Sequence, residues 1–223
     1  MNKIHKKPPL AAGALVAGAL AMGTLTAGAA AIAINNSGFE TTWPNFSAVP
    51  GWTGSGYSDA TNPGAGYGNI STTLGTGGDG ANYLTLGAGQ ATNGTISQIT
   101  SSLVALGDMF TLTIGIGNRG GYSSDDTAAA YVGSIRLLIG GIAVASNQLA
   151  GTDTPIAFGF SNATLSYTST ALDAGKTVGV QIGDAGSRLE FDNVRLDAIP
   201  EPSSSVMLLG GLGAVLLRRR RVS

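Results

Sequence analysis

Between Ile34 and Ile199 short runs of apolar residues at every second position occur repeatedly, and nowhere is a helical period sustained. Phe110, Leu112, Ile114 and Ile116 alternate with Thr111, Thr113 and Gly115; Leu165, Tyr167 and Ser169, then Val178, Val180 and Ile182, repeat the pattern. Alternate side chains of a strand share a face, so each segment predicts a half-buried strand. Further strands are expected at 82–87, 94–100, 131–139 and 142–146, with Gly140-Gly141 as a hairpin turn between two apolar runs. Segments rich in Gly, Ser, Asn and Asp mark loops near 54–81, 117–128 and 147–155. Many short strands without internal repeats predict an all-β, antiparallel β-sandwich. Phe110, Leu112, Ile114, Val178, Val180, Ile182, Leu189 and Phe191 are its expected core.

One strand breaks the alternation. Leu189 and Phe191 are in phase, Val194 and Leu196 are in phase, and the polar pair Asp192-Asn193 separates them. Keeping both pairs inward requires an extra residue, hence a β-bulge that aims Asp192 or Asn193 somewhere specific.

Charge and residue usage narrow the chemistry. Of 223 residues, 35 are Gly. Residues 34–199 carry twelve acidic and five basic side chains, a net of −7, while the other seven basic residues lie at the termini. Such a domain repels phosphate backbones, so nucleic-acid partners are not expected. There is no Cys, and the only His is His5. Disulfides, thiolate catalysis, Cys-ligated zinc and histidine general-base chemistry are therefore excluded between 34 and 199.

Both ends read as addresses. Lys3, Lys6 and Lys7 precede an Ala/Gly/Leu stretch from Leu10 to about Leu25, and Ala31-Ile32-Ala33 is a cleavage candidate. Residues 1–33 are thus expected to be a secretory signal peptide. At the other end stand Pro200-Glu201-Pro202, an apolar run from Val206 to Leu217, and Arg218, Arg219, Arg220 and Arg221. The arginines resist translocation. The apolar run would span only ~18 Å as a helix against ~30 Å of hydrocarbon, which makes a marginal, transient anchor. Triplet, apolar segment and Arg cluster in this order resemble the PEP-CTERM sorting signal, which is found in bacteria that make extracellular polysaccharide. The resemblance implies a sorting signal over 199–223 with a short transmembrane helix within it and an Arg-rich tail, an exosortase and the secretion machinery as partners, and final placement at the cell surface or in the matrix.

The domain between, 34–198, carries a second resemblance. Asn36-Ser-Gly-Phe-Glu40 with Val49-Pro-Gly-Trp52 is similar to the first strand of galactose-binding-like jelly rolls, many of them carbohydrate-binding modules. Leu189-Glu-Phe-Asp-Asn-Val-Arg-Leu196 is similar to their last strand. The resemblance implies a jelly-roll topology and a structural calcium where first and last strands meet, with Glu40, Asp192 and Gly38 as ligands. Hard oxygen donors without His or Cys suit that ion; the alternative is that both carboxylates are solvated or bonded to turn amides.

It also implies a non-catalytic module for glycan binding or adhesion, for which Tyr57, Tyr67, Tyr122 and Trp43 are the available aromatic contacts. A purely structural surface protein is the alternative. Enzyme activity is not expected, since no two acids pair as a glycosidase would need. Gly115-Ile-Gly-Asn-Arg-Gly120 fits a dinucleotide fingerprint in letters only, because no helix follows it. Gly77-Gly-Asp-Gly-Ala-Asn82 has the look of a calcium β-roll repeat but occurs once, with its Asp displaced.

Overall fold

The computed structural model describes residues 28–41, 43, 48–55, 58–61, 76–86, 94–117, 132–150, 159–184 and 189–201. The strands are β1 (Ala30–Ile32), β2 (Thr53–Ser55), β3 (Ser58–Thr61), β4 (Tyr83–Leu86), β5 (Thr95–Leu103), β6 (Met109–Gly117), β7 (Val132–Ile139), β8 (Ile142–Ala150), β9 (Phe160–Thr168), β10 (Thr177–Asp184) and β11 (Glu190–Ile199). All pairings are antiparallel. One sheet runs β3-β4-β11-β6-β9, with β1 added on β11; the other runs β2-β5-β10-β7-β8. The strands expected from period-2 alternation are present, and the eight expected core residues are all buried. Among the described residues there is no helix. The signal segment up to residue 27 and the apolar tail lie outside them.

The first strand is not where the resemblance implied. Asn36–Gly38 form a turn, with Asn36 and Phe39 at φ 49° and 53°, and the pairing strand is β1, just before it. β1 lies inside the segment read as signal peptide: Ala30 pairs with Ala198 and Ile32 with Leu196. Three apolar-enough residues in an Ala-rich stretch gave no alternation to read.

Trp43 is also placed differently. It is buried edge-to-face on Phe39, ring centroids 6.4 Å apart, while Trp52 stacks on the same ring at 5.7 Å. A ring held in the core offers no exposed platform, so Trp43 is a packing residue. Tyr57, Tyr67 and Tyr122 lie outside the described residues.

The sandwich has two unlike ends. At one of them, the open end, Gly117, Phe160 and Glu190 of one sheet and Thr95 and Gly133 of the other lie at or beside strand ends, and Gly133 lies against Leu189 and Phe191 across the sandwich. The opposite end is closed by short turns at 104–108, 140–141 and 169–176. Gly140 and Gly141, at φ 58° and 79°, make the expected hairpin turn, a conformation that glycine adopts without strain. Both β1 and β11 reach this closed end, since Ala30 faces Ala198 and Ile199 faces Met109.

Candidate functional site

On its edge away from β6, β11 is paired discontinuously. Glu190 and Phe191 pair with β4, and Leu196 to Ala198 pair with β1. Between them sits the bulge. Asp192 pairs with Gly115 and Arg195 with Thr113, so the β11 side has one residue too many, and Asn193 takes φ 47°. The 35–38 turn fills part of the gap through Val194 N–H to Ser37 O at 2.9 Å. A strap formed by 76–82 fills the rest, crossing the sheet so closely that Gly77 lies directly on Gly115, where neither residue has room for a Cβ.

The bulge aims Asp192 away from the core, under this strap. Its Oδ2 accepts the backbone N–H of Asp79 at 2.7 Å and its Oδ1 that of Asn193 at 2.7 Å. Glu40 Oε1 accepts the N–H groups of Ala81 and Asn82 at 2.9 and 2.8 Å, and Asn82 Nδ2 donates to Oε2 at 3.3 Å. A Cβ on Gly38 would stand 3.4 Å from Asp79 Oδ2 and 3.8 Å from Asp192 Oδ1. Both carboxylates are thus bonded to backbone amides, the alternative to ion binding, with Gly38 and Asp79 beside Asp192 and Glu40 at the far end of the strap. Asp79 belongs to the Gly77–Asn82 segment set aside as an isolated motif; its Gly-Gly-Asp-Gly run was the available signal.

Burial pushes the Asp192 carboxyl up to about 8; the N–H groups of Asp79 and Asn193 oppose that rise, and the charges of Asp79 and Glu40 add to it. Of the three carboxylates only Asp192 is out of water; Glu40 and Asp79 are exposed above it. The donors are hard oxygens, suited to calcium in kind. As placed, however, no group of three or more His, Cys, Asp or Glu side chains among the described residues stands close enough to hold a metal ion. The match is one of chemistry, with Asp79 and Asp192 nearest to forming a pair.

A second small cluster lies on the same sheet. Tyr83 and Phe160 pack edge-on at 5.7 Å, fully buried, and a Cβ at Gly117 would collide with both Phe160 and the Cβ of Glu190. Glu190 is completely buried at the start of β11, beside Gly117 at the open end.

The sequence profile described as HpiC1 cyclase matches residues 30–197, from the first residue of β1 almost to the end of β11. The chain belongs to the HpiC1-like cyclase family. The PEP-CTERM protein-sorting motif matches residues 198–221, directly after it. The Stig cyclase Fisc from Fischerella sp. TAU, solved in complex with (3Z)-3-(1-methyl-2-pyrrolidinylidene)-3H-indole, is 22% identical. The match covers 78% of this chain and 99% of that one at a TM-score of 0.60. A cyclase from Fischerella sp. TAU in complex with 4-(1H-indol-3-yl)butan-2-one is 22% identical, with 77% and 98% covered and a TM-score of 0.60. TmCBM61, in complex with β-1,4-galactotriose, is 16% identical over 74% of this chain and 97% of that one. Its TM-score of 0.45 is too low to carry an argument. No curated protein matches the sequence.

Membership in a cyclase family overturns the expectation of a non-catalytic glycan-binding or adhesive module, and with it the expectation that the chain is not an enzyme. Strand alternation reports the sandwich, and the same sandwich serves binding and catalysis alike. The sorting motif stands: the chain carries the signal for export and exosortase-mediated sorting to the cell envelope or surface. No helix among the described residues is long and apolar enough to cross a membrane.

Proposed function

We propose that this chain is an exported cyclase that takes a small, apolar, ring-bearing ligand at the open end of the sandwich and works at the cell envelope. The observation that carries this reading is the family match: it fills 30–197 and stops where the sorting motif begins at 198. Catalytic domain and address then form one continuous unit. Both Fischerella cyclase structures hold an indole-bearing compound, which makes that class the first ligand to try.

The chemistry suits the residue usage. Ring closure within one bound molecule needs a shaped, water-poor cavity and a proton donor, with no protein nucleophile. The lack of Cys and His between 34 and 199 is no obstacle to it. Tyr57 and Tyr122 belong to segments that join strands at the open end, whereas Tyr67 belongs to the segment following β3. Glu190 is the buried acid at that end. Calcium, held by Asp79 and Asp192 with Glu40 and the Gly38 backbone beside them, would supply positive charge that fastens the strap and the 35–38 turn to β11. The protein stays membrane-associated through its tail until sorting, and then resides at the surface or in the matrix.

Calorimetric titration of the purified chain with 4-(1H-indol-3-yl)butan-2-one tests the ligand class. Saturable binding that is lost in Tyr122→Ala is expected; no binding of this or any other indole compound would overturn it. Loss of envelope retention on Glu201→Ala, in a host that makes an exosortase, tests the sorting half.

A further inference from the structure

The closed end of the sandwich has an inverted surface. Leu172 is 82% exposed, Ile142 68%, Leu103 65%, Leu106 59% and Met109 38%, and all five lie on its turns or the strand ends beside them. These turns are one assembly. Val104 N–H donates to Lys176 O, Gly107 N–H to Ser169 O, and Gly140 N–H to Thr177 O, at 2.9, 3.3 and 2.8 Å.

The polar groups of the same turns face inward. Asp108 Oδ2 accepts Ala105 N–H at 2.7 Å, and Ser169 Oγ donates to Ala105 O at 2.6 Å. Asp173 Oδ2 accepts Thr170 N–H, Thr170 Oγ1–H and Tyr167 O–H at 2.8, 2.7 and 2.8 Å. Solvated turns ordinarily show the opposite arrangement, acids out and leucines in. Here the Asp108 and Asp173 carboxylates are already paired, so moving these turns out of bulk water costs little for them, while five apolar side chains gain; Glu201 is the exposed carboxylate, at the rim.

The chain itself says what lies beneath. Ile199 pairs with Met109, and the Glu201 side chain rests against Gly107, so the domain ends on this surface. Only residues 202–205 separate Glu201 from the apolar run that starts at Val206, a reach of about 17 Å at full extension. We propose that the closed end rests on the lipid surface, with Leu103, Leu106, Met109, Ile142 and Leu172 dipping into the headgroup region. Lys176, whose stem lies along Gly140, is the one cation among the described residues of these turns and is long enough to reach phosphate from the rim. The open end then faces away from the membrane. This inference rests on the reading of the tail as a membrane segment.

The chain has no cysteine, so single labels are unambiguous. Full-length protein carrying a nitrobenzoxadiazole label at Leu106→Cys, Leu172→Cys, Gln148→Cys or Leu212→Cys is reconstituted into vesicles of phosphatidylcholine and phosphatidylglycerol containing spin-labelled lipid. Gln148 is exposed near the open end, and Leu212 lies in the tail. Blue-shifted emission and quenching at 106, 172 and 212, with neither at 148, is the expected result. A label at Ile142→Cys should lose its quenching when Leu106 and Leu172 are both replaced by Ser. Quenching at 212 with water-like emission at 106 and 172 overturns the proposal and leaves the tail reading intact. Quenching at 106 and 172 without 212 keeps the surface contact and overturns the tail reading, and no quenching anywhere overturns both. Quenching that follows protein density in place of spin-labelled lipid assigns the patch to a second copy of the chain and also overturns the proposal.

Discussion

Asp192 and Asp79, 113 positions apart in sequence, are joined at 2.7 Å through the Asp192 carboxylate and the Asp79 backbone N–H. That bond fastens the strap to the last strand at the bulge, where the ladder on one edge of β11 is broken. Cutting it with Asp192→Ala leaves two backbone N–H groups to find other partners, at a cost of about 1–3 kcal/mol. If calcium occupies the site, ion at 100 times its dissociation constant should add ~2.7 kcal/mol to folding stability. Magnesium should add much less, because it demands a tighter octahedral shell. Melting curves in EDTA, calcium and magnesium check this. Equal midpoints in all three, or a calcium shift that persists in Asp192→Ala, would remove the ion from the account.

Phe110 is buried between the sheets, whereas Leu172 is exposed on a turn. Phe110→Ala should cost about 3–5 kcal/mol, by lost burial plus the cavity left behind. Leu172→Ser should stay within about 0.5 kcal/mol. Urea unfolding of the two variants beside the parent chain distinguishes core from surface directly.

Asp173 should govern acid stability at the closed end. The backbone N–H of Thr170, then its hydroxyl, then the Tyr167 phenol hold this carboxyl below its ordinary 3.8. A group with a depressed folded pKa contributes stability that is whole above the unfolded value and is lost as pH falls through the folded one. Tyr167 is raised above its ordinary 10.0, chiefly by donating to Asp173, so its contribution is whole below 10.0 and is lost as pH rises through the folded value. Asp173→Asn should therefore flatten the loss of stability below about pH 4, and Tyr167→Phe the loss above about pH 10. Unchanged slopes in denaturant titrations across pH would show that neither bond matters.

Signal cleavage after Ala33 would discard β1, which pairs with residues 196–198. Ala27-Gly28-Ala29 offers the same small-x-small pattern and leaves Ala30 as the first residue. Cleavage after Ala29 is predicted, and N-terminal sequencing of the exported chain decides it. A mature protein beginning at Ile34 would mean that the sandwich forms without β1.

Alternation made β6, β9 and β10 legible, and the doubled glycine made the β7–β8 turn so. The bulge was legible because a buried face fixes strand phase, so Asp192-Asn193 could not be absorbed without an extra residue. β1 was not, being three residues long in a stretch with the composition of a signal peptide. Trp43 was misplaced because its neighbours are polar, yet its own ring is drawn onto Phe39. Asp79 was passed over because strap-to-strand contacts over 113 positions leave no periodic trace. The cyclase family left no trace for a different reason: the ring closure proposed for it needs no nucleophile, so a domain without Cys or His resembles one without chemistry.

β11 is an interior strand of its sheet and is also the end of the domain in sequence. A chain exported from its N-terminus delivers β1 first and β11 last, with most pairings of the six-stranded sheet waiting for that final strand. Such long-range pairing folds slowly and only once the chain is complete. Pro200-Glu201-Pro202 follows immediately, so the sandwich closes as the sorting triplet emerges. Order along the chain thus links the two: a domain cut before residue 190 lacks both its central strand and the sorting triplet that follows it.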